Sequence, residues 1–282
     1  MSDIKNKLIS NSDLMENELA AYFDYSNSDT QPIIDAQRYS ILGGGKRIRA
    51  FLVLEVCRLF SLDNKSAIPY ACAIEMVHTS SLIHDDMPCM DDDDMRRGKP
   101  STHKQFGQAL ALLSGDAMLA KAFEIVATNP YVSCSDNIRA VEVLALSTGD
   151  RGMLGGQTID IEASEKKLDF DKLVRLHKLK TGKLISASAK LGCIAAGISE
   201  NDERYLCAVK YAENVGLAFQ IIDDILDFEE GKRELNSFLS FMSVEEARKF
   251  AIELTSSGIE AISAYDDGTL TQLAEYLTVR KY

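Results

Sequence analysis

The chain has 282 residues, 46% hydrophobic and 26% charged, and its 31 basic and 43 acidic side chains leave a net charge of −12. That balance excludes a general nucleic-acid binder, which needs a basic face, and it repels a naked phosphorylated substrate unless metal or a local basic pocket reverses the field. The six cysteines (57, 72, 89, 134, 193, 207) include no CxxC pair and read as free thiols of a cytoplasmic protein; the polar N-terminus does not read as a signal peptide, and no apolar run reaches the ~18 residues of a membrane span.

Along the chain, Ile4, Leu8, Leu14, Leu19 and Phe23 recur near helical spacing and predict an amphipathic helix over 1–25. A polar turn follows at 26–32, then a second helix to about Leu42, broken by Gly43-Gly44-Gly45. Residues 48–62 are apolar and helical. A longer apolar helix is expected over about 69–86, with Glu75, His78 and His84 at intervals compatible with one lined face. A loop follows Arg97-Gly98-Lys99-Pro100, and helices are expected at about 105–127, 135–150, 169–190 and 202–228. The stretch 229–236 is charged and irregular, and helices over about 243–262 and 269–279 complete the chain. No stretch alternates with period two, so no strand is expected. Neither a linker nor a repeat appears. The expectation is an all-α single domain over 1–282, a large bundle of about ten helices around a central cavity.

Two carboxylate clusters carry the chemistry. Asp223-Asp224-x-x-Asp227 sits among Ile221, Ile222, Ile225 and Leu226, so Asp223 and Asp227 share a face of a helix packed nearly all round. Carboxylates so placed repel each other unless a cation compensates, and Mg²⁺ takes oxygen ligands and bridges them to phosphates. The first cluster, Asp85-Asp86-x-x-x-x-Asp91, has a spacing that no continuous helix can bring onto one face, but Pro88 breaks the helix and can turn Asp91 back toward Asp85. Basic residues accompany both clusters: Arg96-Arg97, the glycine turn leading into Lys46-Arg47-Ile48-Arg49, and Lys180-Thr181-Gly182-Lys183. Glycines allow close backbone approach, and a helix N-terminus followed by arginines favours anions. His78, seven residues before Asp85, points toward the same cluster, whereas His84, His103 and His177 read as ordinary packed histidines without zinc-ligand spacing.

These motifs resemble the trans-isoprenyl diphosphate synthases, the polyprenyl synthetase family, in their bacterial-type geranylgeranyl and farnesyl diphosphate synthase form. The resemblance rests on GGGKRIRA at 43–50, EMVHTSSLIHDDMPCMDDDDMRRGKPSTH at 75–103, SGDAMLAKAFE at 114–124, GGQTIDIE at 155–162, KTGKLISASAKLG at 180–192 and AFQIIDDILDF at 218–228. It implies the isoprenoid synthase fold, a homodimer, and an Mg²⁺-dependent prenyltransferase of isoprenoid biosynthesis that joins isopentenyl diphosphate to allylic diphosphates. By resemblance, Asp85, Asp86, Asp91, Asp223, Asp224 and Asp227 hold Mg²⁺, three ions with substrate bound. Arg96 and Lys180 contact the allylic diphosphate, with Thr181 and Gln220 near it. Lys46, Arg49, His78 and Arg97 form the isopentenyl diphosphate pocket. Asp85, Asp86, Asp91, Arg96, Lys180, Asp223 and Asp224 are thereby the expected catalytic set. The segment after Asp227 departs from the family pattern: it is short, and Lys232 is the nearest counterpart of the lysines that follow the second cluster in relatives.

Chain length in this family depends on bulk just before the first motif. Ser81 and Ser80, four and five residues upstream of Asp85, are both small, which resembles geranylgeranyl rather than farnesyl producers. The alternatives are a farnesyl synthase, a catalytically silent partner subunit, or a terpene cyclase. Intact aspartates oppose the silent subunit, and an isopentenyl pocket is superfluous in a cyclase. A merely structural bundle would leave the basic residues beside the acidic clusters without a purpose.

Overall fold

The computed structural model describes residues 2–27, 29–61, 63–164, 166–231 and 234–278, and the chain there is helical almost throughout. Thirteen α-helices occur among the described residues: α1 Ser2–Ala21, α2 Gln31–Ile41, α3 Ile48–Phe60, α4 Ala67–Asp85, α5 Thr102–Phe106, α6 Gln108–Ala127, α7 Cys134–Thr148, α8 Met153–Glu162, α9 Phe170–His177, α10 Lys183–Ala195, α11 Glu203–Glu229, α12 Val244–Ile262 and α13 Thr269–Thr278. None is long and apolar enough to cross a membrane.

Helix α4 explains the arrangement. Residues Tyr70 to Val77 are all buried, and a helix that is apolar all round belongs at the centre of a bundle. It packs on α3, α6 and α10, and with them builds a core that includes Tyr70, Ile74, Met76, Met118, Leu144 and Leu191. The opposite face of α3 joins α10, the first half of α11 and α13 in a second core around Leu52, Ala189, Tyr211 and Leu273. A third core gathers the second half of α11 with Leu173, Phe238 and Ala247. Helix starts follow the expected capping chemistry. Ser133, Asp169 and Asp202 side chains accept backbone N–H bonds at α7, α9 and α11, and Ser243 with Glu246 forms a reciprocal capping box at α12.

Four features differ from the sequence-based expectation. Met95–Arg96 (β1) pairs antiparallel with Lys99–Pro100 (β2), joined by Arg97 and Gly98, both at positive φ (52° and 76°), the signature of a tight hairpin turn. Two residues per strand are too few to show a period. The helix expected over 105–127 is divided at Gly107, whose φ of 85° no helix accommodates. The stretch expected as one helix over 169–190 is α9 and α10 joined by a π-helical turn at Lys178–Gly182. Helix α8 was not expected at all, because its glycine pair and β-branched residues carry low intrinsic propensity; tertiary packing against the π turn holds it.

Candidate active site

The first acidic cluster lies where α4 ends. Met87 precedes Pro88, the helix stops, and the chain turns back so that the Asp91 N–H donates to the Asp85 carbonyl at 2.9 Å. Two acids six positions apart are thus brought to the same turn. Burial pushes the Asp85 carboxyl up to about 6, opposed by Lys180 and reinforced by Asp91. Asp91 is raised in the same way, chiefly by burial. Asp86 is buried and already partnered: Arg96 Nε donates to it at 2.9 Å, Arg96 Nη2 also contacts it, and the same Nη2 donates to Asp93 at 2.9 Å.

Lys180 and Thr181 project from the π turn. Lys180 Nζ sits 2.5 Å from Asp160 on α8, a partner that sequence reading missed although it lies inside the GGQTIDIE motif. The turn fits only because Gly156 has no side chain: a Cβ there would stand 2.3 Å from the Lys180 backbone nitrogen. Thr181 Oγ1 donates to Gln220 at 3.1 Å, and Gln220 donates to Asp224 at 3.4 Å, so a polar chain runs from the π turn to the second acidic cluster on α11.

In that second cluster Asp223 and Asp227 are half-buried and one turn apart. Asp224 is buried and engaged on both oxygens, with Gln220 on one and the Phe238 N–H at 2.7 Å on the other. Burial raises Asp224 to about 6 against these hydrogen bonds. Asp224 and Asp227 line a small pocket of about 90 Å³ with Glu234 and Ser237 rather than the main cavity. The six acids expected as ligands thus differ in burial: Asp86 and Asp224 are buried, Asp85, Asp223 and Asp227 half-buried, and Asp91 exposed. Lys232 lies outside the described residues.

Two chambers meet beside α4. The larger, about 390 Å³, carries Asp85, Lys180 and Thr181 together with Met90, Leu119, Met153, Leu184, Ser80 and Ser81. Both serine hydroxyls donate to helix carbonyls, Ser80 to Val77 at 2.9 Å and Ser81 to His78 at 2.8 Å, so neither proton is directed into the cavity. The smaller, about 230 Å³, gathers Lys46, Arg49, His78 and Arg97 over an apolar floor that includes Leu52, Phe219 and Leu273. Arg49 and His78 line both chambers. Glu75 and His78 border the smaller chamber and His78 and His84 the larger, so the three polar positions of α4 expected on one lined face are divided between two chambers.

The electrostatics of the smaller chamber favour an anion. Burial lowers the Arg49 and Arg97 pKa values, partly offset by Glu75, so both guanidinium groups are short of negative partners. The buried Arg49 Nε has no hydrogen-bond partner. Burial, together with the surrounding arginines, drives His78 well below the usual histidine range, which makes it a neutral imidazole near pH 7. Arg47 is a different case. Of the cations after the glycine turn it alone is buried against acids, 2.7 Å from Glu16 and 3.4 Å from Glu75. Glu75 also accepts the Ala50 N–H at 3.0 Å, so this pair fixes the start of α3. Arg97 closes over Gly45, contacting the Gly44 carbonyl, and Gly45 (φ +126°) leaves the space: a Cβ would lie 3.0–3.2 Å from the guanidinium atoms.

Fold and site together define a helical enzyme built for substrates that carry diphosphate. The polyprenyl synthetase family matches residues 30–238, and the chain belongs to that family of trans-prenyltransferases. It is 39% identical over 269 residues to the farnesyl diphosphate synthase of Escherichia coli, covering 88% of this chain and 89% of that protein. It is 40% identical over 270 residues to the heterodimeric geranylgeranyl pyrophosphate synthase large subunit 1 of Arabidopsis thaliana, covering 88% and 72%. Among solved structures, an FPP/GFPP synthase from Zymomonas mobilis superposes with a TM-score of 0.91 at 36% identity over 99% of both chains.

Proposed function

We propose that this chain condenses isopentenyl diphosphate with allylic diphosphates and carries the product to geranylgeranyl diphosphate. The observation that carries the reading is the pair of chambers sharing Arg49 and His78: one is lined by Lys46, Arg47, Arg49 and Arg97 with Glu75 as its one acid, the other has Asp85 and Lys180 on a wall that also carries Ser80, Ser81 and the apolar Met90, Leu119, Met153 and Leu184.

Asp85, Asp86 and Asp91 with Asp223, Asp224 and Asp227 are the donors that would hold Mg²⁺, three ions with substrate bound in the family's pattern. Their all-oxygen set fits a hard cation, and burial raises the Asp85 pKa, a cost to its charged form that a bound cation would offset. Bound there, the metal supplies neutralisation of the departing diphosphate. Lys180, steered by Asp160, and Arg96, steered by Asp86, add fixed positive charge for the same leaving group. Lys46, Arg49 and Arg97 hold the isopentenyl diphosphate, and neutral His78 between the chambers serves as a hydrogen-bonding wall. As the allylic C–O bond breaks, the isopentenyl double bond attacks the allylic cation, and a proton then passes to the released diphosphate. Ser80 and Ser81 leave the far wall of the larger chamber open to a longer chain.

The exposed Leu112, Leu113, Ile138, Leu146 and Leu154 on α6, α7 and α8 support a homodimer, and six free thiols suit the cytoplasm. The test is incubation of the purified chain with isopentenyl diphosphate and dimethylallyl, geranyl or farnesyl diphosphate, with and without Mg²⁺, followed by product sizing. A metal-dependent C20 product is expected. No consumption of isopentenyl diphosphate overturns the activity, and a C15 end point overturns the chain length.

A further inference from the structure

Around the hairpin that carries Arg96 and Arg97 lies a group of side chains that neither chamber uses. Asp92 and Asp94 precede β1 and His103 follows β2. One carboxylate oxygen of each acid and one ring nitrogen of His103 all lie within 4.8 Å of one another. The two acids are exposed, but His103 is 95% buried, as its 5% exposure shows, and its Nε2 has no hydrogen-bond partner. That nitrogen faces Asp92 Oδ1 at 4.0 Å, too far for a hydrogen bond. The other ring nitrogen, Nδ1, is 3.1 Å from Ser101 Oγ, which is itself buried.

We propose that Asp92, Asp94 and His103 form a second divalent-cation site, separate from the carboxylate clusters of the reaction, which staples the arginine hairpin at its base. Two carboxylates with an imidazole suit a borderline transition metal such as zinc better than magnesium, which prefers oxygen alone. A proton on Nδ1, donated to Ser101 Oγ, leaves the Nε2 lone pair free to ligate, the outer-shell arrangement usual for metal-bound histidines. Two ligands about 2.0–2.2 Å from zinc stand about 3.4 Å apart in tetrahedral geometry, so closing the 4.0 Å gap takes a shift of about half an ångström. Lys104 occupies Asp94 Oδ1 at 2.7 Å and leaves the other oxygen for the ion. Because the ligands come from both sides of β1 and β2, a bound ion fixes the hairpin ends and with them the two arginines.

The test needs no prenyl transfer. The intact protein is dialysed against zinc with millimolar magnesium present to compete at the Asp85 cluster. One zinc per chain is expected in the parent and in Cys89→Ser, which removes the exposed thiol of the preceding turn. At least a tenfold weaker affinity is expected in His103→Gln and in Asp92→Asn; the second is exposed, so its fold is safe. Zinc should also slow tryptic cleavage at the hairpin in the parent but not in Asp92→Asn. Zinc binding that is absent, that survives in Asp92→Asn, or that disappears in Cys89→Ser overturns the site. Cleavage rates indifferent to zinc overturn the staple.

Discussion

Gly156→Ala tests whether the α8 crossing positions the reactive lysine. The added methyl carbon would stand 2.3 Å from the Lys180 nitrogen and 2.6 Å from its Cα, whereas carbon contacts settle at about 3.5–4.0 Å. Backbone meets backbone, so no side-chain rotation relieves the clash, and α8 must part from the π turn by more than about 1 Å. Overpacking of this kind costs about 1–3 kcal/mol. The larger effect is on catalysis, because Lys180 moves with the turn away from Asp160 and Asp85, and a displacement of about 1 Å at such a group costs roughly 100-fold in rate. Steady-state kinetics with geranyl diphosphate should show kcat/KM down by about that factor, while the KM for isopentenyl diphosphate, which the proposed function assigns to the other chamber, should change far less. Thermal melts should fall by a few degrees, at about 2–4 °C per kcal/mol. A variant with parental kcat/KM and melting temperature would show that Lys180 does not depend on this crossing.

Lys180→Met should lower kcat by about 10²–10³, the usual loss for one fixed donor at a developing anion, and a parental rate in the same assay would remove Lys180 from the reaction. Ser80→Tyr should shorten the product toward C15 by filling the larger chamber, and an unchanged product distribution on chromatography would refute the wall assignment. Arg47→Met strands the buried Glu75 carboxylate and should cost about 3–5 kcal/mol in urea unfolding; a loss under about 1 kcal/mol, within the range of an exposed pair, would mean that the pair is not structural. His177, stacked on Phe238 with ring centroids 5.1 Å apart, is lowered by burial to about 4 from 6.5. The unfolded chain therefore takes this proton first, so stability that is full above about pH 6.5 declines by up to about 3 kcal/mol as pH falls toward 4. His177→Gln should flatten that limb of the stability profile, and equal slopes in both proteins would refute the assignment.

The long helices were legible because their apolar spacing is strong: α4, α11 and α12 fall within two residues of expectation. Helix α8 was invisible because Gly155, Gly156, Thr158 and Ile159 are poor helix formers, and what holds them is a neighbour more than twenty residues away. The π turn was hidden for a related reason, since one extra residue per turn leaves composition unchanged while rotating Lys180 and Thr181 relative to α10. At the site, Pro88 foretold the fold-back of Asp91, but residue type could not separate Arg47 from Arg49. Both follow the same glycine turn; only packing places one against Glu16 and Glu75 and the other between two chambers. Nor could the sequence distinguish Asp224, buried against the Phe238 backbone, from the half-buried Asp223 beside it. The two-residue strands were too short to carry a pattern, so the hairpin that aims Arg96 and Arg97 read only as a loop.

A common partition made of one guanidinium and one uncharged imidazole would, on the proposed function, tie the fates of the two ligands. Whatever an occupant on one side does to the orientation of Arg49, the molecule on the other side must feel, and thermodynamic linkage makes that influence equal in both directions. An inhibitor seated in either compartment should thus alter affinity for its neighbour's substrate without touching it, and a single rigid compound spanning both would gain from replacing two separate bindings by one.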